Sequence, residues 1–148
     1  MKKRNLKGFT LIELIVVIAI IGVLAAILVP AMMGWVRKAS INSANANAKT
    51  VFTNAQTVAQ EWETRGSTLS GTYGEGGTGG SFVTEVQRNL TGDNTHWVVS
   101  ISDNVVNAAA ALASGWAGGY PTPCPNTNTN KVSLATALTN AASGGSWS

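Results

Sequence analysis

The residue best placed for chemistry in this sequence is Glu13, a single carboxylate at the edge of an apolar run. From Leu14 to Met33, twenty consecutive residues carry no charge and no strongly polar side chain. A helix of that length, rising about 1.5 Å per residue, matches a hydrocarbon core of roughly 30 Å. An acid inside such a segment costs about 2.5–3.5 kcal/mol at the bilayer centre and less near its edge, so it calls for a cationic partner. Cutting the chain after Gly8 creates one, the α-amino group of Phe9, on this chain or on a neighbour. A second candidate lies in Trp116, Tyr120 and Trp147, which sit in glycine-flanked, loop-like stretches. Exposed together, they would form an aromatic platform for stacking against a polysaccharide. The competing expectation is that they pack the core of a small domain.

Other chemistries find no support. The chain has no Ser/His/Asp order, no close carboxylate pair and no phosphate-binding loop. The glycines of Gly74–Gly80 lack the preceding strand and attached helix that a nucleotide motif needs. One His, one Cys and scattered acids do not assemble a standard zinc site. The reading is therefore of a protein that is not an enzyme, with no catalytic, metal or cofactor residues. Cys124 is the only cysteine, which rules out an intrachain disulfide. Held between Pro123 and Pro125, it is expected to be inert, with a bond to a second chain left open.

Charge distribution narrows the partners. Lys2, Lys3, Arg4 and Lys7 precede Gly8; beyond it six basic residues face seven acidic ones, a side-chain net of −1. The formal +3 is thus a property of the leader, which argues against a nucleic-acid surface. Positive charge beside an apolar run keeps that end in the cytoplasm, so the expected topology is a single pass of the cytoplasmic membrane. Only six of the 83 residues from Gly66 onward are charged, a polar but nearly neutral surface suited to an exported, densely packed subunit.

The elements that must carry these groups follow from periodicity. After Trp35, residues Ile41, Ala44, Ala48, Val51, Phe52, Ala55, Val58, Ala59 and Trp62 recur at spacings of three and four, with no Pro or Gly between Val36 and Arg65. One helix is expected from Phe9 to Arg65, on the order of 85 Å long, with Phe52 and Trp62 as core anchors. Gly22 and Pro30 interrupt its apolar part. They are either ordinary residues of a membrane helix or the place where the segment bends or melts. Four segments result: a leader (1–8), an apolar helix (9–35), its amphipathic continuation (36–65) and a globular head (66–148). In the head, 66–81 reads as a linker, 82–92 as a short amphipathic helix and 96–102 as the clearest strand. The stretches 105–113 and 132–138 fit helix or strand, and 118–130 reads as a loop.

Gly8-Phe9-Thr10-Leu11-Ile12-Glu13-Leu14, behind a short basic leader and ahead of an apolar helix, resembles the N-terminus of type IV pilins and their relatives, the type II secretion pseudopilins and competence pilins. The likeness covers Lys2 to about Trp35. It implies an α+β fold, a long N-terminal helix packed on a small domain with a short antiparallel sheet and one or two short helices. It also implies cleavage between Gly8 and Phe9 by a membrane-embedded prepilin peptidase, with methylation of the Phe9 amine. Glu13 would pair with that amine on an adjacent subunit, and Gly22 and Pro30 would lie where filaments bend. The implied product is a homo- or hetero-polymer with other pilins, leaving the membrane as a surface filament for adhesion, motility or uptake. A pseudopilin of a secretion or DNA-uptake system shares this stem, and a pilin-like polysaccharide adhesin is the third alternative. The chain departs from the best-known pilins in lacking a second cysteine and in signalling one convincing strand rather than four.

Overall fold

The computed structural model describes residues 9–90 and 96–147; Gly8, on the leader side of the expected cut, lies outside them. Helix α1 spans Leu11–Thr64, and β1 (Gly71–Gly74), α2 (Ser81–Asn89), β2 (Trp97–Ser102), β3 (Val105–Ala113), β4 (Trp116–Tyr120) and α3 (Leu134–Ser143) follow. The fold is α+β, as the resemblance implies. The chain divides into two compact units, Met1–Val36 and Arg37–Ser148, and α1 contributes to both.

In the first unit the apolar side chains of α1 are exposed from Leu11 to Met33. Gly22 has no neighbour within 4 Å of an added methyl, and Pro30 lies inside continuous helix. Pro30 removes one backbone donor there without ending the element.

The second unit has its own core in three layers. The α1 stripe of Ile41, Ala44, Ala48, Val51, Ala55, Val58 and Ala59 is buried, following the three-and-four spacing of the sequence. The four strands form an antiparallel meander in the order β1-β2-β3-β4. Trp97, Val99, Ile101, Ala109 and Ala111 pack with α1 and with Phe82 and Val86 of α2. Val98, Ala108, Ala110 and Ala117, from alternating positions, pack with Leu134, Ala137, Leu138 and Ala141 of α3. A bulge between Ser100 and Ile101 shifts the register of β2 against β3. Phe52 and Trp62 are half-buried against the core, with rings edge-on to Tyr120 (4.8 Å) and Phe82 (6.2 Å). Glu85 of α2 ties down the end of α1: it accepts from Trp62 Nε1 at 2.6 Å and from Arg65 at 3.1 Å.

Two of the expectations for the head need correction. The 66–81 linker contains an edge strand, β1. The loop expected from Gly118 begins inside β4. The antiparallel sheet is present with four strands, of which composition signals one clearly. The physical reason is close packing. An added methyl on Gly118 would strike the Ala44 backbone of α1, and one on Gly119 would come within 2.7 Å of Ala141 and Trp147. Glycine here admits close neighbours on both faces of a strand, although by composition it reads as loop. The alanines of β3 fill a central strand covered on both sides, where limited space overrides helical propensity. Tight turns join the strands: Asp103-Asn104 (φ 50° and 62°) and Ser114-Gly115 (φ 49° and 75°) have the left-handed pairs that suit a right-twisted hairpin. The ambiguous 132–138 stretch opens α3, capped by Ser133, whose Oγ accepts from Thr136 N at 3.2 Å.

The chain itself bonds to both outer edges of this sheet. At β1, Thr78 N donates to Thr72 O at 2.7 Å and Gly74 N to Thr78 O at 3.4 Å. At β4, Gly119 N donates to Asn45 Oδ1 of α1 at 3.2 Å. The β1 edge is thereby paired within the chain, and the β4 edge has one donor engaged by α1.

Candidate assembly site

The site is built by the first turn of α1. Thr10 N and Thr10 Oγ1 both donate to Glu13 Oε2, at 2.9 and 2.8 Å. Glu13 N donates back to Thr10 Oγ1 at 3.3 Å, and Leu14 N donates to Thr10 O at 3.3 Å. This is a capping box: a threonine and a glutamate three residues on satisfy each other's backbone donors where the helix cannot. The carboxylate also lies at the positive end of the helix dipole. Glu13 therefore has two unequal oxygens. Oε2 holds the turn, and Oε1 has no hydrogen-bond partner among the described residues. Phe9, Ile12, Glu13, Val16 and Val17 border a shallow groove there, and Phe9 is 85% exposed. Glu13 thus keeps one free acceptor on an apolar surface, and Thr10 orients it. The role of Thr10 escaped the reading of the sequence, although the spacing Thr10-x-x-Glu13 ahead of an apolar run is a recognisable capping signal.

The three aromatic candidates are not brought together as an exposed platform. Trp147 is buried (5% exposed) and its six-membered ring covers Gly119. Tyr120 is half-buried against Phe52, and half-buried Trp116 lies under Lys131, whose Nζ is 5.6 Å from the ring centre. Their glycine neighbours made them look accessible, whereas those glycines let the rings and helices pack closely. Cys124 is buried, and desolvation, the larger influence, pushes its thiol up from its ordinary value, while the Asn128 amide opposes this. A thiol held protonated is a weak nucleophile.

Comparison with known proteins extends these observations. The family described as the prokaryotic N-terminal methylation motif matches residues 3–29. The type IV major fimbrial protein FimA of Dichelobacter nodosus is 32% identical over 118 residues, covering 72% of this chain and 76% of that protein. The chain belongs to the type IV pilin family. Two further relatives match only the stem. A fimbrial protein of Moraxella nonliquefaciens is 58% identical over 38 residues, 26% of this chain and 25% of its own length. The type IV wide pilus major component PilA4 of Thermus thermophilus is 57% identical over 37 residues, 25% of this chain and 28% of its own length. These matches span about a quarter of each relative. No solved structure matches. Type IV pilins are structural proteins, and that membership carries the non-enzymatic reading of the chain.

Proposed function

We propose that this pilin is a subunit of a type IV pilus, processed between Gly8 and Phe9 and polymerised through α1. The observation that carries the reading is the unpaired Oε1 of Glu13 beside an exposed Phe9, at the head of a helix whose apolar side chains find no cover within their own unit. Such a surface needs lipid first and other copies of the helix afterwards. Prepilin peptidase would release and methylate the Phe9 amine, and that ammonium on one subunit would meet Glu13 Oε1 on the next. Head-to-tail pairing of this kind does not close on itself and so builds a fibre. Before assembly the chain sits in the cytoplasmic membrane with its basic leader inside; afterwards residues 9–35 line the filament and the head, 66–148, faces outward. The polymer is of this chain alone or with related pilins. Relatives named as major fimbrial and pilus components favour a pilus over a secretion pseudopilin.

Mass spectrometry of the native protein tests the processing step, with N-methyl-Phe9 expected as the first residue. A mature chain beginning at Met1 or beyond Ala26 would remove the basis for the pairing. Glu13→Ala should leave the protein in the membrane and abolish filaments by electron microscopy; normal filament number in that variant counts against the proposed contact.

A further inference from the structure

We propose that a cleft in the head binds one neutral, polyhydroxylated ring, a sugar unit offered free or at the end of a glycan chain. The cleft, of about 300 Å³, is lined by Pro125, the turn 127–130, Ser146 and Trp147. Its size lies at the small end of ligand sites, roughly 300–1,000 Å³. None of these side chains ionises near neutral pH. The adjacent cation, Lys131, is drawn over the Trp116 ring. A phosphate or carboxylate would meet no counter-charge among these residues, whereas a neutral polyol needs only hydrogen bonds.

The loop that supplies those bonds is held in shape before any ligand arrives. Asn45 of α1 donates to Cys124 O at 2.8 Å and accepts from Cys124 N at 2.9 Å, which fixes the base of the loop. Asn128 spans its turn, donating to Asn130 O at 2.9 Å and accepting from Asn130 N at 3.0 Å, while its own N–H donates to Pro125 O at 2.9 Å. With the backbone groups engaged, the hydroxyls of Thr127 and Thr129 and the side-chain amide of Asn130 remain without a partner among the described residues. Each of these groups both donates and accepts, as sugar hydroxyls do, and little ordering entropy remains to be lost on binding. Trp147 supplies the second observation. It forms part of the cleft wall, is 5% exposed, and its indole N–H is buried without an acceptor among the described residues. A buried, unpaired donor is a standing cost, and a small shift of the ring toward the cleft would let a ligand oxygen relieve it. Because this ring is packed over Gly119, the site grips the rim of one ring and offers no stacking surface to a flat polysaccharide.

The test is a nuclear magnetic resonance titration of the full-length, isotope-labelled chain in a sugar-free detergent. The probes are the methyl glycosides of glucose, galactose and mannose, a neutral oligosaccharide, and inorganic phosphate as the charged control; Trp147→Phe assigns the indole signal. Saturable shifts of the Trp147 indole and Asn130 amide signals with at least one neutral probe at millimolar concentration, and none with phosphate, are expected. Thr129→Val and Asn130→Ala, both at exposed positions, should each weaken that response by about fivefold or more with the sheet signals unchanged. A response to the monosaccharides points to a free sugar, and a response to the oligosaccharide alone to a chain end. No saturable shift with any neutral probe, an equal response to phosphate, or full binding by both variants overturns the proposal.

Discussion

Residues 9–36 and residues 37–147 solve the same problem in opposite ways. Both units rest on α1, yet the first leaves Leu11, Leu14, Leu24 and Met33 exposed, whereas the second buries Ile41, Val51 and Val58 completely or nearly so. The side chains explain the contrast. In the first unit apolar residues surround the whole helix, so no single face is chosen and cover must come from lipid or other helices. In the second, Asn, Thr and Gln alternate with a stripe rich in alanine, which selects one face and lets a sheet approach closely. The second unit packs a core of its own, and the first depends on what surrounds it. The β1 edge of the sheet is paired within the chain, which removes that edge as a template for strand exchange between copies.

Substitutions that damage one unit and spare the other sharpen this comparison. The largest effect is expected from Gly119→Val, which drives two branched methyls into Ala141 and Trp147. Overpacking of this kind costs about 3 kcal/mol or more when a strand and a helix must both move. Thermal denaturation of the full-length chain in detergent should show a large fall in midpoint, while membrane insertion continues. An unchanged midpoint would mean that α3 does not hold the sheet. Asn45→Ala comes next. It leaves Gly119 N, Cys124 N and Cys124 O without their partner, a loss of about 2 kcal/mol in the same assay. Hydrogen exchange should rise at Gly119 and Cys124 before the rest of the head.

The stem was legible in the sequence because its signals are local. A run of apolar residues, a stripe at three-and-four spacing and a glycine at its end place α1 within a residue or two of its observed limits. The head was less legible because its signals are relational. Gly118 and Gly119 look like loop until the positions of Ala44 and Trp147 are known, and the alanines of β3 look helical until both faces of the strand are covered. Much the same holds for the candidate site. Glu13 stood out by its cost, while Thr10 became visible as a partner only once the first turn was built.

Thr10→Val tests whether that partner matters to the stem alone. The substitution removes the hydroxyl that bonds Glu13 and keeps the shape, at a cost of about 1 kcal/mol to the helix start. Head stability should be unchanged and filament yield reduced, and Thr10→Ser should restore it. Full yield in Thr10→Val with reduced yield in Thr10→Ser would assign the effect to the methyl group and break the link between capping and assembly.

The smallest expected effect lies at the other end of α1, where Glu85 joins Trp62 and Arg65. The Trp62 indole hydrogen bond, and then that of Arg65, hold its carboxyl below the ordinary carboxylate value. A depressed folded-state value means that the unfolded chain takes up the proton more readily. The contribution is therefore fully present above the ordinary carboxylate range and is lost as pH falls through the lower, folded-state value. Solvent exposure and salt reduce its size. Head stability should decline on acidification through this window, and Glu85→Gln should flatten part of that decline while leaving the groups around Glu13 untouched. If the pH profile of the variant overlays that of the parent, the end of α1 is held by the packing of Trp62 against Phe82, and the charge on Glu85 contributes nothing to it.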